Sequence, residues 1–303
     1  MFAKSSLYNE REARTGFLFV MPALLFMVFM IGYPLIYNFQ MSMSNLDVRS
    51  FKGNTSEVVG LENYITLFKD EVFVQALAQT FTFTIWNLII QFTLGFALAI
   101  FFNKKFHLAG PIRGMIIISW MMPMSVTGLL FKNMFGTEDG VINDLLVRLG
   151  LMAQNMPIGW MIDGKFALWS VIVANCWVGI PFNMLLLTTG MTSIPEEVYE
   201  SAAIDGANSF QRFWHLTVPL LKPAILSVLM LGFIYTFKVF DLVFIMTQGG
   251  PLNATEVLST FSYKLSFTEY RFGLGATGAV ILFLNLMIVG IFYLRLIRHE
   301  EVA

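Results

Sequence analysis

"EEVYESAAIDGANSFQRFWHLTVP", residues 196–219, is a short segment bearing acidic residues, alanine and glycine inside a chain that is otherwise mostly oil. Local rules make it a helix, a turn and a second helix. Ser193 and Glu196 have the S-x-x-E spacing of a capping box, and Pro195 suits a first-turn position. Glu196 and Glu197 favour the positive end of the helix dipole. The first helix is predicted to run through Ala203 and stop near Gly206, a residue type that accepts the positive φ of a C-terminal cap. Asn208 or Ser209 then caps a second helix that ends before Pro219. Ala202 and Ala203 let a partner surface come close, Val198 and Tyr199 offer apolar contact, and Glu200 and Asp205 offer charge. Such a peg fits a groove; a solvated loop helix without a partner explains the same letters.

What surrounds this segment belongs in a membrane. The 303 residues are 56% hydrophobic and 13% charged, with 31 Phe and 19 Met, against about 25% charged in a soluble domain. A net charge of −1 offers no basic surface for nucleic acid. The single cysteine, Cys176, lies in an apolar run and reads as a small buried residue. Six stretches rich in Leu, Ile, Phe, Val and Met are long enough to span, near 16–40, 80–102, 114–131, 168–191, 220–240 and 275–294. The first exceeds the core of a secretion signal, and no small-residue cleavage site follows it, so it reads as a retained helix. The expected fold is an all-α integral membrane protein of six transmembrane helices, one domain over 1–303, with the opening segment between helices 4 and 5.

Lys and Arg are unevenly distributed between the connections. Segments 1–15, 103–113, 192–222 and 295–303 hold 10 in 66 residues, whereas 41–79, 132–165 and 239–274 hold 8 in 109. The positive-inside rule places the denser set, both termini and the opening segment in the cytoplasm. On the other side, Leu61, Tyr64, Ile65 and Phe68 have the spacing of an amphipathic helix that could lie along the bilayer surface.

Two polar stripes interrupt the spans. Thr80, Thr84, Asn87 and Gln91 share one face of the second helix. They either hydrogen-bond between helices as glue or face a solute path. In the fourth span Asn175, Gly179 and Asn183 share a side, with Trp169 and Trp177 nearby and Pro181 interrupting the backbone ladder. This is a candidate cavity lining suited to a sugar, because Asn amides donate to and accept from hydroxyls while an aromatic face covers a pyranose. A proline kink with packing tryptophans is the other reading. Asn87, Gln91, Asn175, Trp177 and Asn183 are the candidate substrate-pathway residues. Lys238 and Asp241 could pair, and Lys238 is expected to snorkel toward headgroups. No catalytic constellation, metal site or phosphate-binding glycine loop is visible, so the chain is expected to bind no cofactor and hydrolyse no ATP by itself. A stand-alone secondary transporter would call for inverted repeats and midplane ionisable groups, and neither is evident. A non-transporting scaffold would use the polar stripes as glue alone.

The stretch "YESAAIDGANSFQRFWHLTVPLLKP", 199–223, resembles the cytoplasmic EAA loop of binding-protein-dependent ABC importer permeases: E-A-A, three residues, G, nine residues, then I-x-L-P. Glu200, Ser201 and Ala202 match E-A-A with Ser for the middle Ala. Gly206 and Pro219 match at the required spacing, while Leu216 and Val218 replace Ile and Leu. "MPALLFMVFMIGYPLIYNFQMSM", "GLENYITLF" and "FDLVFIMTQGGPLNATEVLSTFSYKLSF" extend the likeness to the sugar-type branch of maltose, lactose and glycerol-3-phosphate permeases. The resemblance implies that 196–215 is a coupling helix held in a cleft of a separate ATPase, with Glu200, Ser201, Ala202, Asp205, Gly206 and Pro219 as its coupling residues. It further implies a second homologous permease subunit, two ATPase subunits that bind ATP and Mg, an extracytoplasmic solute-binding protein, a carbohydrate substrate, and a bacterial or archaeal cell membrane.

Overall fold

A computed structural model describes residues 2–53, 57–104 and 106–300. In chain order it has α1 (Phe2–Met27), a π-helical turn (Val28–Gly32), α2 (Tyr33–Ser42), α3 (Val48–Gly53), α4 (Glu62–Lys69), α5 (Glu71–Asn103), α6 (Ala109–Met121), α7 (Met124–Met134) and α8 (Val141–Arg148). There follow α9 (Gly164–Thr192), α10 (Glu196–Ile204), α11 (Ser209–Arg212), a π turn (Phe213–Thr217), α12 (Val218–Leu220), α13 (Lys222–Phe237), α14 (Asp241–Met246), α15 (Leu258–Tyr263), a π turn (Lys264–Thr268) and α16 (Phe272–Glu300). Among the described residues, four helices are long and apolar enough to span by themselves: Glu12–Ser42, α5, α9 and Phe272–Ile297.

Two further helix pairs are apolar enough to span only if each is taken together, and both are sharply bent. The third span, expected as one helix over 114–131, is two helices meeting at 96°. Pro123 is the cause: the residue before a proline is pushed out of the helical region, and Met122 is extended at φ −71°, ψ 137°. The fifth is a pair, 209–220 and 222–237, bent by 65°. Its first half does not end before Pro219. The chain carries the missing N–H of proline through the π turn at Phe213–Thr217 and continues helically to Leu220. Pro34 is likewise preceded by a π turn, while α9 passes through Pro181 unbroken.

The parallel pair α5 and α9 organises the bundle. Asn87 meets Asn175, Gln91 meets Gly179, and Gly95 meets Asn183, a constant offset that only parallel helices maintain. Small residues permit this approach, as expected where lipid supplies no hydrophobic drive between helices. A Cβ on Gly95 would lie 2.6 Å from Asn183 Cβ. Around this pair Phe83, Phe131, Val171, Ile172 and Leu242 form one apolar cluster, and Ala99, Phe102, Met184, Leu187, Leu221 and Val228 form another nearer the C-terminal ends of α5 and α9. At the opposite end, Asn63 Nδ2 and Thr277 Oγ1 both donate to Ser42 O, tying α2, α4 and α16 together. On α4, Leu67 faces the bundle, and Leu61, Ile65 and Phe68 face outward.

Candidate functional site

A cavity of about 460 Å³ opens beside the middle of α9, within the range of small-molecule sites. One wall carries Gln91, Asn175, Gly179 and Phe182; the facing wall carries Gly232, Tyr235, Thr236, Lys238 and Asp241, and Trp120 lies at the α6 break. The aromatic side is a contiguous set: Trp120 and Phe182 have centroids 5.6 Å apart, and Tyr235 meets Phe182 edge-on at 5.9 Å. Aromatic rings beside amides and a hydroxyl suit a polyhydroxylated ligand, which presents both apolar C–H faces and hydrogen-bonding edges.

The amide wall is fixed by Asn87, which is fully buried. Its Nδ2 donates to Phe83 O at 2.8 Å, and its Oδ1 accepts from Asn175 Nδ2 at 2.9 Å, Gln91 Nε2 at 3.0 Å and Cys176 Sγ at 3.4 Å. Gln91 Nε2 also reaches Asn175 O at 3.3 Å. Gly179 is required here, since a Cβ would fall 2.1 Å from Gln91 Oε1. Thr80 and Thr84 serve structure: each donates back along α5, and Thr80 Oγ1 accepts from Leu258 N at 2.9 Å.

Of the candidate pathway residues, Gln91 and Asn175 line the cavity and Asn87 supports them from behind. The other two do not line it. Asn183 Nδ2 donates to Gly179 O of its own helix at 2.8 Å, and Trp177, 52% exposed, packs edge-on against Phe131. Lys238, which the sequence sends toward headgroups, is exposed where the helix breaks between α13 and α14; it lines the cavity, its Nζ 5.5 Å from the Tyr235 ring centroid. It makes no ion pair with Asp241, which lines the same cavity. Trp120, Phe182 and Tyr235 were missed in the sequence, because an aromatic within an apolar run carries no contrast.

At the end of the bundle where α9 stops, the opening segment protrudes. α10 ends in a Schellman arrangement: Ala207 N donates to Ala202 O at 2.9 Å and Gly206 N to Ala203 O at 3.1 Å, with Gly206 at φ 80°. Asn208 and Gln211 form a reciprocal capping box. The predicted Ser193–Glu196 box is absent. Ser193 Oγ donates instead to Gly190 O at 2.7 Å, closing α9, and Pro195 takes the N-cap position of α10. Glu200, Ser201, Asp205, Gly206 and Pro219 are exposed and Ala202 is half-buried. Two large apolar side chains are exposed there as well, Ile204 at 86% and Phe210 at 71%. A cleft of about 410 Å³ between the two helices is lined by Ala202, Asp205, Gly206, Gln211, Arg212 and His215. Tyr199 Oη and Thr217 Oγ1, 3.1 Å apart, join the two helices of the pair, and Phe213 against Phe96 fastens the pair to α5.

Multi-pass helices around a half-polar cavity, with an exposed helical pair at one end, define a membrane permease. The chain belongs to the family described as the inner membrane component of binding-protein-dependent transport systems, whose profile matches residues 91–300. It is 32% identical over 94% of its length to the sulfoquinovosyl glycerol transport system permease protein SmoG of Agrobacterium fabrum, covering 90% of that protein. Against the trehalose/maltose permease protein MalF of Thermococcus litoralis it is 30% identical, with 98% of both chains covered. Against the lactose permease protein LacF of Rhizobium radiobacter it is 35% identical over 88% of this chain and 87% of that one. In fold it is similar to a chain of a bacterial alginate ABC transporter solved with an alginate pentasaccharide-bound periplasmic protein, with a TM-score of 0.79, 19% identity and 94% of each chain covered.

Proposed function

We propose that this chain is the permease subunit of an ATP-driven carbohydrate importer and forms half of a translocation pore with a second, homologous permease. Two ATPase subunits bind ATP and Mg and drive the cycle by hydrolysis, and an extracytoplasmic solute-binding protein delivers the sugar. Both termini and the 196–220 segment then face the cytoplasm. The observation that carries this reading is a connection: residues 193–221 join α9 directly to α13, the two helices that bear the facing walls of the cavity. From Asn175 to Thr192, α9 spans about 26 Å at 1.5 Å per residue, so a push on the helical pair reaches the cavity through continuous helix.

In this mechanism the ATPase grips α10 and the following helix as one peg. Glu200 and Asp205 meet polar or basic groups in its cleft, Ser201 and Ala202 keep the contact close, Gly206 holds the sharp turn, and Pro219 sets the entry to α13. Movement of the peg shifts the α13 wall against the amide wall and switches the cavity between the two faces of the membrane. Gln91 and Asn175 bind sugar hydroxyls while Phe182 and Tyr235 cover its apolar side. Removing one member of a desolvated charged pair costs about 2–5 kcal/mol, so Glu200→Lys is expected to uncouple ATP hydrolysis from transport in liposomes. Gly206→Val, which forces a β-branched residue to positive φ, should do the same. Asn175→Ala should lower uptake without lowering membrane abundance. Full coupling in both peg variants would remove the proposal.

A further inference from the structure

A second pocket, of about 630 Å³, lies where α5 stops, α6 begins and α9 nears its end. Lys104, His107 and Arg113 line it with the amide of Asn103 and the hydroxyls of Thr188 and Thr192; among the described residues no Asp or Glu does. Among the described residues, no ion pair engages Lys104 or Arg113. Arg113 is held in place: its Nη2 donates to Phe102 O at 2.8 Å, and its guanidinium carbon is 6.0 Å from the Phe102 ring centroid. That carbonyl belongs to the last turn of α5, so the cation also offsets the negative end of that helix. Its Nε, however, is buried without any hydrogen-bond partner. A guanidinium N–H of this kind calls for an acceptor oxygen, and a charged one makes the stronger bond.

The rim shows where the acceptor comes from. Phe101, Phe106, Leu108 and Ile112 are exposed beside the pocket, so a polar, cationic floor meets an apolar outer edge, as at the boundary between headgroups and acyl chains. Basic pockets between transmembrane helices at that depth take phospholipid headgroups. We propose that this pocket binds a phosphate ester at the membrane interface, with Arg113 and Lys104 on the phosphate oxygens; the apolar rim favours an anionic phospholipid as its source. Asn103 also lines a smaller cleft with Tyr199, Arg212 and Thr217, so the bound phosphate sits at the root of the protruding helical pair.

The test uses the full-length chain purified in detergent. Native mass spectrometry during titration with phosphatidylglycerol or phosphatidylcholine measures lipid retention, and calorimetry with inorganic phosphate measures the free anion. Phosphatidylglycerol should be retained in preference to phosphatidylcholine, and Lys104→Gln should weaken that retention about fivefold, the effect of one surface cation. Arg113→Gln should weaken it further. Because Arg113 also caps α5, the exposed Lys104 decides the matter if the Arg113 variant fails to fold. Phosphate binding that is itself sensitive to Lys104→Gln would identify a free anion, not a lipid, as the source and keep the site. Equal retention of both lipids with no phosphate heat, or retention unchanged in Lys104→Gln, would overturn the proposal.

Discussion

Gly179→Ala puts the packing behind the cavity to a quantitative test. A methyl at this position would lie 2.1 Å from Gln91 Cδ and Oε1 and 2.5 Å from Nε2. The clashing group is the far end of a flexible side chain, so Gln91 swings away and α5 stays beside α9. In swinging, it loses its bonds to Asn87 Oδ1 and Asn175 O. At about 0.6 kcal/mol per side-chain hydrogen bond in a membrane, these amount to roughly 1 kcal/mol, and overpacking adds about 1–3 kcal/mol. The expected loss is about 2–4 kcal/mol, read as a lower midpoint of thermal unfolding in detergent, together with weaker uptake as the displaced amide fills part of the cavity. Gln91→Ala in the same chain removes the clashing amide and should restore most of the stability. Gly95→Ala is the contrast. Its methyl meets Asn183 Cβ at 2.6 Å and the backbone atoms Ile180 O and Met184 N at 3.1 Å, so Asn183→Ala cannot relieve it. A Gly179→Ala protein as stable as the parent, or a double variant no better than Gly179→Ala alone, would refute the reasoning.

Other perturbations separate structural roles from contact with cargo. Asn87→Ala leaves the Asn175 and Gln91 amides without their shared acceptor and should cost about 1–3 kcal/mol; Asn183→Ala removes one bond within α9, so unfolding midpoint and uptake should both stay close to the parent. Glu256 is buried and paired to Lys264 beneath Gly249, with its Oε1 unpartnered. Lys264→Met strands that carboxylate, at about 3–5 kcal/mol, and unfolding experiments should find it more damaging than the near-isosteric Glu256→Gln. In the loop after α2, the Asp47 carboxylate is held below its ordinary value of 3.8, first by the Ser50 backbone N–H and then by the Ser50 hydroxyl. Since the folded pKa is depressed, the turn has this support in full above the ordinary value and loses it as pH falls through the lower folded one. Amide exchange at Ser50 should therefore quicken relative to its intrinsic rate only at the acid end, and Asp47→Asn should abolish that dependence.

Residues 196–212 were legible because their punctuation is local: Gly206 supplies a positive φ and Asn208 a cap whatever the rest of the chain does. The Ser193 box failed in competition, since α9 ends there and offers the hydroxyl a nearer acceptor in Gly190 O. In the third span, hydropathy registers how apolar a stretch is and not its direction, so 114–131 reads as one rod although Met122-Pro123 carries the signal for a break. Within the site, Asn87, Gln91 and Asn175 stood out against oil. Phe182 and Tyr235 became cavity residues only through helix rotation and a bend, which composition does not encode. That Lys238 also lines the cavity follows from the helix break between α13 and α14, which its place near a span end does not encode.

The sequence posed interhelical glue and solute path as alternatives, and the geometry makes them successive layers of one wall. Asn87 is bonded to Phe83, Gln91, Asn175 and Cys176 and, being fully buried, presents no atom to cargo. Gln91 and Asn175 are positioned by it and reach the cavity. Such a network fixes α5 against α9, because sliding either helix breaks several polar bonds together in a medium that offers no replacements. The contacts of α13 with these helices are of another kind: Gly232 faces Leu88, and Gly190 faces Ala224. Small apolar surfaces of this sort can shift without leaving a polar group unpaired. Moving α13 and α14 against a static α5–α9 pair is one rearrangement that changes the cavity while keeping the amide bonds, and residues 193–221 form the covalent link between those two parts.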